Sequence, residues 1–411
     1  MSSQPAEAPE VLYLVATSGH PNYGDEFITA AWLRFLARTR PEAEVWLDCP
    51  EPGAAIHLFD GLHPRLRITN TLWTLVHELK KLAPAEADSH GDRVIEHLGT
   101  PRFDTGLLTV RRATTVHFLG GGYLHALWPH HLRLLRLARK VKEVTGARLV
   151  ATGLGLQPVH DLESLRDDLA AFDHVSVRDQ PSAEAAGVSM TCDDAFLALP
   201  SVPGYNLRPG SEEESDEVYV CLQNDIGTPE NFDHMVDLVA AALERPEYAD
   251  RPVFYVEAIP GSDRIAFERL GGLIPEENFV SFVKLWGEGF PGRPGQTWIT
   301  TRFHLHLLAA SCGAEGTAIE VDEEFYRVKH GSLVDAGTGW ALTTVGATEL
   351  AAPSGAGEFR LDAGRLHRAK LEEAEGLYPR RSRPAAPAQP EQPPAAEERA
   401  RSASAGWFRR R

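Results

Sequence analysis

Short apolar runs alternate along this chain with stretches whose apolar residues recur at helical spacing. Residues 11–16 form an unbroken apolar run, the pattern of a strand covered on both faces. The run ends in Thr17-Ser18-Gly19-His20-Pro21-Asn22-Tyr23-Gly24-Asp25-Glu26, and Ile28, Ala31, Trp32 and Phe35 then follow in helical period. Further strands are expected at 44–47, 114–119, 148–152 and 174–177, with weaker candidates at 57–59 and 66–68. Residues 72–82 and 162–171 read as helices. A long helix is expected from the glycine run Gly120-Gly121-Gly122 to about Val144, and 84–106 read as mostly irregular. The second half repeats the pattern, with strands at 218–222, 253–257, 298–300 and 317–321. Its helices are expected at 230–243, 263–270, 302–312, 323–330 and 361–375. Strand–helix alternation of this kind predicts an α/β fold with mostly parallel sheets and helices on both faces.

Breaks in the pattern divide the chain. Residues 1–10 read as a disordered N-terminus, 11–200 as a first Rossmann-like domain, and 201–216 as a linker rich in Pro, Gly and acidic residues. Residues 217–352 form a second Rossmann-like domain. Residues 353–378 are a helical extension able to pack back on the first, and 379–411 are a disordered tail rich in Pro, Ala and Arg.

Composition narrows the function classes. The 411 residues are 43% apolar, enough for two cores. There is no apolar run of about 18 residues, so no membrane span is expected. The polar start lacks the basic and apolar regions of a signal peptide. Cys49, Cys192, Cys221 and Cys312 are scattered without a CxxC pair, which suits a reducing cytoplasm and argues against a structural zinc site. The formal charge of −17 disfavours a nucleic-acid partner. Eight Arg against three Glu give the tail +5, leaving −22 for the rest. Its end, Trp407-Phe408-Arg409-Arg410-Arg411, suits peripheral contact with the inner face of an anionic membrane.

Candidate chemistry collects where strands end. Thr300 or Thr301 is a plausible cap for a helix carrying Arg302 and His304 in its first turn. The unpaired amides and positive dipole end there favour a phosphate or carboxylate. Gly121 and Gly122, and Gly155 in Gly153-Leu154-Gly155, stand at further strand ends, where a ligand can approach the backbone. Arg178 stands at the end of the 174–177 strand. The turn holding Gly24, Asp25 and Glu26 is not a P-loop: it has no Lys, and its acids repel phosphate. They suit sugar hydroxyls or a proton instead. His306, two positions beyond His304, points elsewhere on a helix and reads as structural. His125, His130 and His131 fit no regular metal spacing.

Six pieces, in order, resemble the polysaccharide pyruvyl transferase family. They are Asn22-Tyr23-Gly24-Asp25-Glu26, Gly120-Gly121-Gly122-Tyr123-Leu124, Gly153-Leu154-Gly155-Leu156-Gln157-Pro158, Val177-Arg178-Asp179-Gln180-Pro181-Ser182, Asp193-Asp194-Ala195-Phe196 and Arg302-Phe303-His304. The resemblance implies two Rossmann-like domains facing across a cleft, as in GT-B glycosyltransferases. It implies phosphoenolpyruvate as donor, a saccharide as acceptor (lipid-linked if the tail meets a membrane), and a pyruvate ketal as product. It gives Arg178, Arg302 and His304 the donor and places Asn22, Asp25 and Glu26 at the cleft. His304 then serves as an acid for the leaving phosphate, and Asp25 or Glu26 as a base. No metal or cofactor is required, phosphoenolpyruvate being a substrate. The chain departs from the family at Asp194, where Pro is usual and the change reads as a harmless turn substitution. It departs again at Phe303, and in 319–329, a loose match to the family's Tyr-Asp-x-Lys-like stretch. A nucleotide-sugar glycosyltransferase of the same shape is the alternative, and a non-catalytic carbohydrate- or anion-binding protein a second.

Overall fold

In a computed structural model, residues 10–198, 213–321, 325–353 and 355–380 are described. Two six-stranded sheets carry the fold. The first holds β1 (Val11–Val15), β2 (Glu44–Asp48), β3 (Leu66–Thr69), β4 (Thr115–Phe118), β5 (Arg148–Leu154) and β6 (His174–Val177), in the order β3-β2-β1-β4-β5-β6. The second holds β7 (Val218–Cys221), β8 (Val253–Val256), β9 (Phe279–Val280), β10 (Thr297–Thr300), β11 (Glu315–Glu320) and β12 (Ala341–Thr344), in the order β12-β11-β10-β7-β8-β9. Every pairing is parallel. Both sheets thus repeat the Rossmann order, with switch points between β1 and β4 and between β7 and β10, where such sheets bind ligands. β1 is buried along its whole length, as its unbroken apolar run requires.

Proline accounts for the main local corrections. Residues 84–106 are not irregular but hold helices Pro84–Glu96 and Pro101–Val110, and the strand expected at 57–59 is the end of helix Pro52–Phe59. Each begins with Pro at the first turn. The missing N–H costs nothing there, and the fixed φ suits a helix, so proline starts these elements rather than breaking them. The long helix expected after the glycine run begins only at Arg133 and ends at Thr145. The linker expected at 201–216 and the tail expected at 379–411 lie mostly outside the described residues, as does the N-terminus up to residue 9. Among the described residues no helix is long and apolar enough to cross a membrane.

The helix Phe359–Leu377 returns to the first domain and is fastened there by charge. Lys370 Nζ lies 2.9 Å from Asp194 Oδ1 and 2.6 Å from Glu373 Oε2, with Lys370 and Asp194 fully buried. Burial alone would lower the Lys370 ammonium, but Asp194 and Glu373 outweigh it and keep it charged. Asp194 Oδ2 accepts from Trp32 Nε1 (2.7 Å), Gly120 N (2.8 Å) and Thr152 Oγ (2.6 Å). Thr152, His117 and Tyr378 continue the chain of bonds to the end of the returning helix. Asp194 is therefore not a harmless turn substitution: a Pro there could accept none of these bonds. Lys370→Met would leave a buried carboxylate without its cation. It is expected to lower unfolding free energy by about 3–5 kcal/mol, read by urea denaturation at neutral pH. A loss below about 1 kcal/mol, typical of an exposed pair, would contradict this account.

Candidate functional site

The carboxyl ends of the two sheets face one another across a cleft of about 470 Å³. The first domain supplies Asn22, Gly24, Asp25, Gly122 and Arg178. The second supplies Arg302, His304 and Lys329. Local contacts pull the two sides close. Tyr23, opening the helix Tyr23–Thr39, donates its backbone N–H to Ala258 O (3.0 Å), and its ring stacks on Phe290. The His304 imidazole lies so close over Gly24 that a Cβ at that position would collide with it.

Arg178 and Asp193 link the domains at their centre. The Arg178 guanidinium sits over the Phe303 ring, 4.3 Å from its centroid, a cation–π contact between domains. Its Nη1 meets Asp193 Oδ2 at 2.9 Å, and His304 Nε2 approaches the same oxygen at 3.5 Å. Burial would raise the Asp193 carboxyl, but His304 and then Arg178 hold it well below the carboxylate range. Two glycines make room for the cations. A Cβ at Gly155 would stand 2.5 Å from Arg178 Nε, and one at Gly122 would stand 3.0 Å from Arg178 Nη2 and 3.3 Å from Lys329 Nζ. Gly121, at φ +142°, brings its backbone beside Asp25. Of the expected glycines only Gly24 and Gly122 line the cleft; Gly121 and Gly155 work from behind it.

Arg302 differs from expectation. It is itself the N-cap of helix Phe303–Ser311, and the Thr300 hydroxyl accepts from its backbone N at 3.0 Å, so neither Thr300 nor Thr301 is the cap. Its guanidinium pairs with fully buried Asp263 and, at 2.9 Å, with half-exposed Asp225. An incoming anion would thus compete with Asp225. Asp25 and Glu26 separate sharply. Asp25 lines the cleft, bonded to Asn22 Nδ2 at 2.9 Å. Burial pushes its carboxyl up, against the pull of His304, Arg178 and Lys329. Glu26 instead turns inward and accepts the Gly19 N–H at 2.8 Å. It does not line the cleft, which corrects its placement there.

Lys329 was missed as a site residue because 319–329 matches the family pattern loosely. The signal was the spacing Tyr326-Arg327-Val328-Lys329, which keeps a Tyr-x-x-Lys frame. Burial, and then Arg178, push its ammonium well below the ordinary lysine value. His306 packs away from the cleft, its ring stacked on Trp340 and its Nδ1 3.2 Å from His330 Nδ1. A larger cavity of about 1150 Å³ lies on the far side of the Arg178–Phe303 pair and includes Asp193 in its wall. His304, Lys329, Arg302 and Asp25 gather in the smaller one, which we take as the site.

The fold is the two-domain, GT-B-like one. Arabidopsis thaliana UGT89C1, complexed with UDP-L-rhamnose, superposes with a TM-score of 0.52 at 11% identity, covering 90% of this chain and 98% of that one. A putative UDP-N-acetylglucosamine 2-epimerase from Listeria monocytogenes gives 0.47 at 13% identity, covering 92% and 93%. No curated protein sequence matches the chain. The chain belongs to the polysaccharide pyruvyl transferase family, whose sequence profile matches residues 22–285, more than half its length. That match ends before Arg302 and His304, so their place in the site rests on geometry.

Because His304 and Arg178 press against glycine backbone, Gly24→Ala and Gly155→Ala are expected to lower pyruvyl transfer about 100-fold, the cost of small misplacements. Gly53→Ala, where an added Cβ meets nothing within 4 Å, serves as control. Equal turnover in all three variants would remove the close-approach argument.

Proposed function

We propose that the chain transfers the three-carbon unit of phosphoenolpyruvate to two hydroxyls of a saccharide, forming a pyruvate ketal and releasing phosphate. The observation that carries this reading is the convergence of Arg178 and Lys329 beside Gly122, with His304 on Gly24, in one interdomain cleft. Phosphoenolpyruvate bears a phosphate and a carboxylate on a small frame, and it needs cations set apart. Arg178 suits a bidentate anion, and the Phe303 face fixes the plane of its fork. Arg302 becomes available when the donor displaces Asp225, while Asp263 keeps the guanidinium in place.

The chemistry follows from the charges. A proton adds to the donor methylene carbon, and positive charge develops at C2. A sugar hydroxyl attacks C2, and Asp25, its carboxyl already raised towards a useful base, takes the hydroxyl proton. The C2–O bond to phosphate breaks as His304 donates a proton to the departing oxygen. A second hydroxyl then closes the ring and releases its own proton, so one of the two hydroxyl protons balances the methyl group and the other the phosphate. Cations set in advance where phosphate charge accumulates stabilise this step without reorganisation.

The purified protein is expected to release phosphate from phosphoenolpyruvate only when a hexose glycoside is present. The glycoside should gain the mass of one pyruvate less one water. His304→Ala and Arg178→Ala should each reduce this by at least about 100-fold. Phosphate release without mass gain would contradict ketal transfer, and turnover of UDP-sugars instead would favour the glycosyltransferase reading.

A second expectation concerns protons. Lys329 is held low in the free protein, and a bound anion favours its charged form. Phosphoenolpyruvate binding should therefore take up protons at pH values where Lys329 is neutral in the free protein, and weaken as pH rises through that range. Calorimetry in buffers of different ionisation enthalpy measures the uptake. Lys329→Met should abolish it, and unchanged uptake in that variant would assign it to another group.

A further inference from the structure

The cleft also has an aromatic lining that the donor does not explain. Trp73, His77, Trp128 and His131 border the same cavity as Arg178, Arg302, His304 and Lys329. The Trp73 and Trp128 rings flank His131: Trp73 meets it edge-on at 4.9 Å, and Trp128 lies nearly parallel to it at 5.8 Å. Trp128 is 37% exposed, an indole left at the cleft mouth. Trp73 is only 7% exposed, yet its Nε1–H meets no acceptor among the described residues.

We propose that Trp73, Trp128, His77 and His131 form the acceptor subsite, a stacking platform for one neutral pyranose ring. The proposal rests on the reading of the cleft as a pyruvyl transfer site and names where the second substrate lies. A pyranose has an apolar face of C–H groups that packs on an indole, while its hydroxyls project sideways to polar groups. The wall offers both. His131 Nδ1 lies 3.0 Å from Tyr123 O, and a carbonyl oxygen only accepts, so Nδ1 carries the hydrogen and Nε2 is left as an acceptor for a sugar hydroxyl. Burial pushes the His131 imidazole down to about 4, so it is neutral near pH 7 and adds no charge to the wall. His77 stands exposed at the rim, in edge contact with His130. A ring here shares the cavity with Asp25, the base, and with Arg178.

The test uses methyl β-galactopyranoside, methyl β-glucopyranoside and methyl α-mannopyranoside with the full-length protein. Saturation-transfer NMR should show transfer to the ring C–H protons of at least one glycoside. The signal should be lost in Trp128→Ala and kept in Leu127→Ala, a neighbouring exposed residue that does not border the cleft. In turnover, Trp128→Ala should raise the KM for that glycoside about tenfold or more, the scale of one lost stacking contact, with the KM for phosphoenolpyruvate unchanged. Absence of saturation transfer with all three glycosides, or transfer equal in wild type and Trp128→Ala, overturns the subsite. If wild type turns over no phosphoenolpyruvate, the donor reading fails, and the NMR comparison still decides the platform.

Discussion

The buried carboxylate of Asp193 ties the two domains into one site. An ionised carboxylate is costly to bury unless it is paired. Here the pairing is split, with Arg178 from the first domain and His304 from the second on the same oxygen. The Phe303 ring under Arg178 adds an apolar contact across the same boundary. His304 reaches Asp193 only because the carboxyl ends of both sheets face each other at close range, and that closure defines the cleft.

Neighbouring positions divide the labour. Asp193 looks towards the boundary between domains, and Asp194 looks into the first domain, where it gathers Trp32, Gly120, Thr152 and Lys370. Through Gly120 the buried network reaches the start of the glycine run, and Gly122 lies against Arg178 and Lys329. Through Lys370 it fastens the helix that follows the second domain. The returning helix, the glycine run and the Asp193 pairing thus meet at two consecutive residues, with the buried Lys370–Asp194 pair at that junction.

Much of this was legible in the sequence, and the limits have physical causes. Continuous apolar runs such as 11–16 marked central strands because strands covered on both faces leave no polar alternation. The glycines at strand ends marked the ligand side because close approach leaves room for nothing larger. Three helices opening with proline were misread because proline both starts and stops helices, and only the surrounding chain decides which. Glu26 could not be told from Asp25, since adjacent residues at a helix start point in different directions that a sequence does not display. Arg302 was read as an open anion ligand because its partners Asp225 and Asp263 lie about 77 and 39 positions away, at distances no local pattern reports. Lys370 was passed over for the same reason: its burial against distant Asp194, rather than a local motif, gives it its role.

The central claim is that the donor lies between the domains, held from both sides. A crystal structure of the chain with phosphoenolpyruvate measures this most directly. The account predicts the donor beside Gly122, its anionic groups on Arg178 and Lys329, His304 at the phosphate, and Asp225 moved off Arg302. Phosphoenolpyruvate bound within one domain alone, or with Arg178 and His304 both out of contact, would contradict it.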